Sequence, residues 1–233
     1  MRKHRKLLCL ALAIVLIITG IIAVHFAAEA RDEHKQNCTK NRDEQDVQID
    51  ISGELDKMLD GQVGWINIPG TDITGPIMQA DDNEYYLRRN ETGEKDVWGC
   101  YFMDADCAPT SQHLIIYGHS LDDSPDADKF SQLKRFLTDA FSKEYGEVQL
   151  TYNGESMQFR VFSAGYVAAT AENALTLTTN PTQEAAEQLI AAAFARSEQD
   201  FGIDVQPSDM LLSLLTCTSD SQTRFIVTAV RTA

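Results

Sequence analysis

From residue 63 onward, apolar and polar positions alternate with a period of two in short blocks bounded by turn-forming residues. That pattern predicts strands. VGWINI (63–68) and ITGPIMQ (73–79) flank a PGTD turn, and DVWGCYFM (96–103) and HLIIYG (113–118) flank the turn-rich DADCAPTSQ. EVQLTYNGESMQFRVFSAGYVA holds two strands joined at Asn153-Gly154, a pair suited to a tight hairpin. MLLSLLTC and TRFIVTAV close the chain as two further β segments.

Three stretches carry helical spacing instead. Leu55, Met58 and Leu59 predict a short amphipathic helix over Ser52–Asp60, ended by Gly61. Ser124-Pro125 offers a cap and a first-turn proline for a helix through KFSQLKRFL. After Asn180-Pro181, Ala185, Leu189, Ala192 and Phe194 recur at helical intervals in TQEAAEQLIAAAFAR. Many short strands with inserted helices and no regular βαβ alternation predict a mostly antiparallel barrel or an α+β domain, not a doubly wound sheet.

The first residues follow a different pattern. An apolar run from Leu7 to Ala28, without acidic or Lys/Arg side chains, is long enough to cross a bilayer as a helix. The four Lys/Arg residues of MRKHRK precede it and favour a cytoplasmic N-terminus with the remainder outside the cell. Ala28-Glu29-Ala30 also fits a signal-peptide cleavage site, but the run exceeds a usual signal core, which favours an uncleaved anchor. The expected organisation is a cytoplasmic terminus (1–6), a transmembrane anchor (7–28), an extracellular stalk (29–50) and a folded domain (51–233). The expected localisation is therefore a single-pass protein of the cell membrane.

Charge narrows the partners. The net formal charge is −15, and every one of the 35 acidic residues lies after the apolar run. So acidic a chain is a poor ligand for nucleic acid. Cysteine usage narrows the chemistry. Five cysteines form no disulfide framework. Cys100 and Cys107 are close enough in sequence for either a local disulfide or two free thiols. No Cys or His pair has zinc spacing, and DDSPDAD lacks the glycine and terminal glutamate of a calcium loop, so neither metal nor cofactor is expected.

Cys217 stands alone at the end of an apolar strand. A thiol becomes nucleophilic as a thiolate and needs a base or a positive group nearby. Beyond residue 30 there are three histidines, His34, His113 and His119, and only His119 follows an apolar strand into a polar loop as Cys217 does. Arg224 opens the next strand, seven positions after Cys217, where a guanidinium can steady an oxyanion or a substrate carbonyl. Each residue also has a plain reading taken singly: a buried small thiol, a backbone-capping histidine, a surface arginine. Asp220, in the loop between Cys217 and Arg224, serves either to orient His119 or to form a turn.

The combination resembles the sortases, membrane-anchored cysteine transpeptidases of Gram-positive bacteria, and among them class B. GWINIPGTDITGPIMQADDNEYYLRRN is similar to the family's opening strand, PGT turn and DNEYYL segment, GCYFMDAD to its strand ending in FMD, LIIYGHS to its Tyr-Gly-His, and SLLTC to its TLxTC signature. Ser213 stands where threonine is usual and Ser120 where asparagine is common. The loop after His119 is longer than usual and the Cys217–Arg224 loop shorter.

The resemblance implies a sortase-like closed β-barrel of about eight strands, with Cys217 as nucleophile, His119 as general acid and base, and Arg224 as oxyanion or substrate stabiliser. It implies cleavage of a C-terminal sorting signal, of NPxTN type, on secreted proteins through a thioacyl enzyme. The acceptor would be an amine of peptidoglycan precursor or a pilin. A tethered cysteine protease using water, or a non-catalytic surface-binding module, are the competing readings.

Overall fold

The computed structural model describes residues 58–169, 178–218 and 222–232. Residues Met58–Ala233 form one compact unit. Eight strands close into a barrel in the order β1-β2-β3-β4-β7-β8-β6-β5. Their ranges are β1 Gln62–Asn67, β2 Thr74–Met78, β3 Tyr101–Met103, β4 His113–Tyr117, β5 Glu147–Tyr152, β6 Glu155–Ala168, β7 Leu211–Cys217 and β8 Thr223–Arg231. The mostly β fold with inserted helices, closed as a barrel, agrees with the sequence pattern and the resemblance.

Strand alternation explains which side chains fill the barrel. In β5 Val148, Leu150 and Tyr152 are buried while Glu147 and Gln149 are exposed, the half-buried pattern of EVQLTY. β7 is buried on both faces over residues 211–216, so LLSLL reads as an apolar run interrupted only by Ser213. Its even positions, Leu212 and Leu214, join the barrel core with Ile66, Leu114, Phe159, Phe225 and Val227. Leu211, of opposite parity, packs with Phe162, Val230, Leu189, Ile190 and Ala193, beneath the helix Gln183–Arg196. Thr182 caps that helix by accepting from the Ala185 N–H.

The hairpin at Asn153-Gly154 forms as predicted, with φ of 49° and 81° at the two turn residues. Those paired positive angles suit a turn whose twist matches its strands. Other expectations are corrected. DVWGCYFM yields a strand only over Tyr101–Met103. KFSQLKRFL forms a 3-10 helix, Phe130–Leu137, with a further α-helix at Asp139–Tyr145 that the pattern did not indicate. Ser52–Lys57, most of the first expected helix, lies outside the described residues, and Met58–Asp60 is not helical.

The sheet is mostly antiparallel, as expected, with two exceptions: β2 pairs with β3, and β4 with β7, in parallel. Antiparallel pairing prevails in the other six contacts of the ring. The β4–β7 pairing matters most, because parallel neighbours end at the same rim.

The expected single-pass membrane localisation is also corrected. No helix among the described residues is long and apolar enough to cross a membrane. The longest, Gln183–Arg196, has 14 residues, or about 21 Å of rise against the ~30 Å hydrocarbon core of a bilayer. Leu7–Ala28, the run that carried the expectation, lies outside the described residues.

Candidate active site

The register of three adjacent strands brings the sequence-predicted residues to one rim. β4 and β7 pair in parallel from His113↔Leu211 to Tyr117↔Leu215, and the Gly118 N–H continues the ladder to the Leu215 carbonyl at 3.2 Å. His119 and Cys217 each follow that last pair by two residues. They therefore extend from the same ends of two neighbouring parallel strands. On the other side of β7, Cys217 and Arg224 are direct partners in the antiparallel ladder with β8. One strand end thus has the histidine segment on one flank and the arginine on the other.

The turn between β7 and β8 is closed by the Thr218 hydroxyl donating to the Thr223 carbonyl at 3.3 Å. Arg224 is half-buried, and its Nη1 donates to the Thr223 carbonyl at 3.0 Å. Asp220 lies outside the described residues.

His119 is half-exposed, and its Nε2 lies 2.7 Å from the Leu87 carbonyl, in the short 3-10 turn Tyr86–Arg88. Its main chain is held from the other side, where the Phe130 N–H donates to the His119 carbonyl at 3.0 Å. The acidic loop that follows is pinned by buried groups. Lys134 Nζ donates to the Ser120 hydroxyl at 3.0 Å, the Asp122 carbonyl at 3.0 Å and the Asp123 carboxylate at 2.9 Å. Ser131 accepts the Leu121 N–H at 2.8 Å. Since the Lys134 side chain is 2 % exposed, its charge depends on these partners.

The rejected candidates are structural. His113 is fully buried, its Nδ1 donating to the Thr178 carbonyl at 2.9 Å and its Nε2 accepting from Ser213 at 2.9 Å. Burial pulls it down to about 4. Cys100 and Cys107 are free thiols, both buried, so the unlinked alternative holds. Burial pushes each up to about 12, which keeps them protonated and unreactive at neutral pH.

Among the described residues, no group of three His, Cys, Asp or Glu could hold a metal ion. A surface cleft of about 440 Å³ is lined by Tyr85, Arg88, Lys95 and Val97 among others, and by none of His119, Cys217 or Arg224. Next to the histidine, Leu87, Val97 and Trp98 leave apolar surface exposed.

Sequence reasoning missed three parts of this rim: the Leu87 carbonyl, Gly99 and Lys129. A carbonyl has no sequence signal. Gly99 had one, since a glycine inside a strand-like run marks a bend or a close backbone approach.

Comparison with known proteins places the barrel in a family. The profile of the Sortase domain matches residues 66–232. Sortase B of Listeria monocytogenes is 27% identical, over 81% of this chain and 77% of that protein. Two sortase B structures, a Staphylococcus aureus substrate complex and a complex with triglycine, share the fold with TM-scores of 0.70 and 0.69. Both are 23% identical and cover 86% of this chain and 98% of their own.

Proposed function

This chain belongs to the sortase family, in its class B, and is a cysteine transpeptidase; we propose that Cys217, His119 and Arg224 carry its reaction, within a catalytic domain of residues 51–233. One observation supports the assignment above others: the β4–β7–β8 register gathers these three residues, 98 and seven positions apart along the chain, at one strand end.

In this reading the Cys217 thiolate attacks the threonine carbonyl of a C-terminal sorting signal of NPxTN type. The tetrahedral oxyanion develops beside the Arg224 guanidinium, a fixed positive charge that stabilises the transition state more than the neutral carbonyl. His119 gives a proton to the departing amine, leaving a thioester on Cys217. An incoming amine then loses its proton to His119 as it attacks the thioester, and Cys217 is released. The triglycine complex of a sortase B supports an oligoglycine-type amine as acceptor, such as that of a peptidoglycan precursor, with a pilin amine as the alternative.

The test is turnover of a fluorogenic sorting peptide by the intact chain, with and without triglycine. The expected result is a ligated product in the presence of triglycine and no turnover by Cys217→Ala. Unchanged turnover by Cys217→Ala would remove the assignment, and a free-acid product at saturating triglycine would replace transfer by hydrolysis.

A further inference from the structure

We propose that Gly99 is a positioning residue that holds the Leu87 carbonyl against His119, so that Nδ1 is the ring nitrogen that gives and takes the proton. The inference rests on the reading of His119 as the proton-transfer group.

The chemistry starts from the partner. A carbonyl oxygen can only accept a hydrogen bond, so an Nε2 lying 2.7 Å from the Leu87 carbonyl must carry a hydrogen. That bond favours the same Nε2–H in the neutral ring and in the imidazolium. Protonation then occurs at Nδ1 alone: its lone pair takes the proton of the incoming amine, and its N–H returns one to the departing amine. Without the carbonyl, the neutral ring would divide between two tautomers, one of which presents no lone pair at Nδ1.

Gly99 explains how the carbonyl gets so close. A Cβ at this position would stand 2.6 Å from the Tyr86 carbonyl oxygen, 3.0 Å from that of Leu87 and 3.2 Å from Cδ2 of His119. Cδ2 is the ring carbon bonded to Nε2, so the added carbon would enter the junction between the ring and its acceptor. Two of the three clashes are with backbone, which cannot swing aside as a side chain can. The φ of +55° at Gly99 adds a conformational reason for glycine.

The opposite side of the junction is tied down by Lys129, whose Nζ donates to the Gly99 carbonyl at 2.8 Å. Lys129 itself has φ 56° and ψ −144°, a costly backbone state for a residue with a side chain, and it pairs with Ser120 in an isolated β-bridge next to His119. Glycine, lysine and carbonyl together hold the ring from a segment remote in sequence.

The experiment uses the intact 233-residue chain labelled with 15N-histidine, with His119 assigned by its disappearance in His119→Gln. Long-range 15N–1H spectra across pH should show Nε2 protonated throughout and Nδ1 alone titrating. Gly99→Ala should mix the tautomers and lower kcat on the sorting peptide by about tenfold or more, with KM within about twofold. Gly93→Ala is the control: its φ of +80° is also positive, yet the new Cβ would meet only the Tyr85 hydroxyl at 3.3 Å, so tautomer and kcat should stay as in the parent. A neutral parental His119 in the Nδ1–H form would overturn the proposal, as would Gly99→Ala with parental tautomer and kcat. The parental spectrum decides even if Gly99→Ala does not fold. Full activity in His119→Gln would instead remove the proton-transfer role while leaving the tautomer result standing, so the two failures can be told apart.

Discussion

Strand β4 begins with one histidine and is followed by another, and the two have opposite surroundings. His113 is enclosed, with both ring nitrogens bonded and a proton affinity lowered by burial. His119, two residues past the other end, is half-exposed, with Nε2 on a carbonyl and, among the described residues, no protein partner at Nδ1. Desolvation and complete hydrogen bonding make the first a neutral structural strut. Partial exposure and a single anchored nitrogen leave Nδ1 of the second open to a substrate group. The difference lies in what covers each strand end, not in the residue type.

The strongest way to break this contrast is to remove each ring. His119→Ala should lower kcat by about 10²- to 10⁴-fold, the usual range for a general acid–base group, and leave the unfolding midpoint nearly unchanged. His113→Ala should do the reverse, because it opens a cavity and strands the Thr178 carbonyl and the Ser213 hydroxyl. A loss of about 3 kcal/mol is expected, read by urea unfolding, with kcat of the folded fraction close to parental.

Acid sharpens the same comparison. The His113 imidazole binds a proton less readily folded, at about 4, than in the open chain, near 6.5. Between those values the unfolded chain binds more protons, so stability falls as pH drops through the window and levels off below it. The full contribution is about 3 kcal/mol, measurable as the difference between urea midpoints at pH 7 and pH 4. In His113→Leu that dependence should flatten.

The thiols give a smaller contrast. With Cys100 and Cys107 raised to about 12, only about one molecule in 10⁴ carries either thiolate at pH 8. Peptide mapping after iodoacetamide treatment should find both unmodified until denaturant is added. Labelling of either in the native chain would contradict their enclosure. The smallest expected effect is that of Ser213→Ala, which removes one partner of His113 and should cost about 1 kcal/mol with no change in kcat.

Much of the barrel was legible because alternation records which face of each strand is buried, and β5 and the Asn153-Gly154 hairpin follow that code closely. DVWGCYFM failed because its apolar residues Val97 and Trp98 are exposed in a turn beside the site instead of buried in a strand. The α-helix Asp139–Tyr145 escaped notice because DAFSKEY is too short to show a clear helical period, and packing of Phe141 on Phe136 and Tyr145 supports it instead. Residues with distinctive chemistry at strand ends, Cys217, His119 and Arg224, could be named from spacing and resemblance.

Local preference and hydrophobic period act over a few residues, and they suffice to specify strands, turns and candidate nucleophile. Which strand end lies beside which is a matter of pairing across the chain, and it was decided by folding: β4 against β7 in parallel, β7 against β8 in antiparallel. The same holds for the Leu87 carbonyl, which belongs to every residue type alike and acquires a role only because the barrel brings it 2.7 Å from the ring 32 positions away.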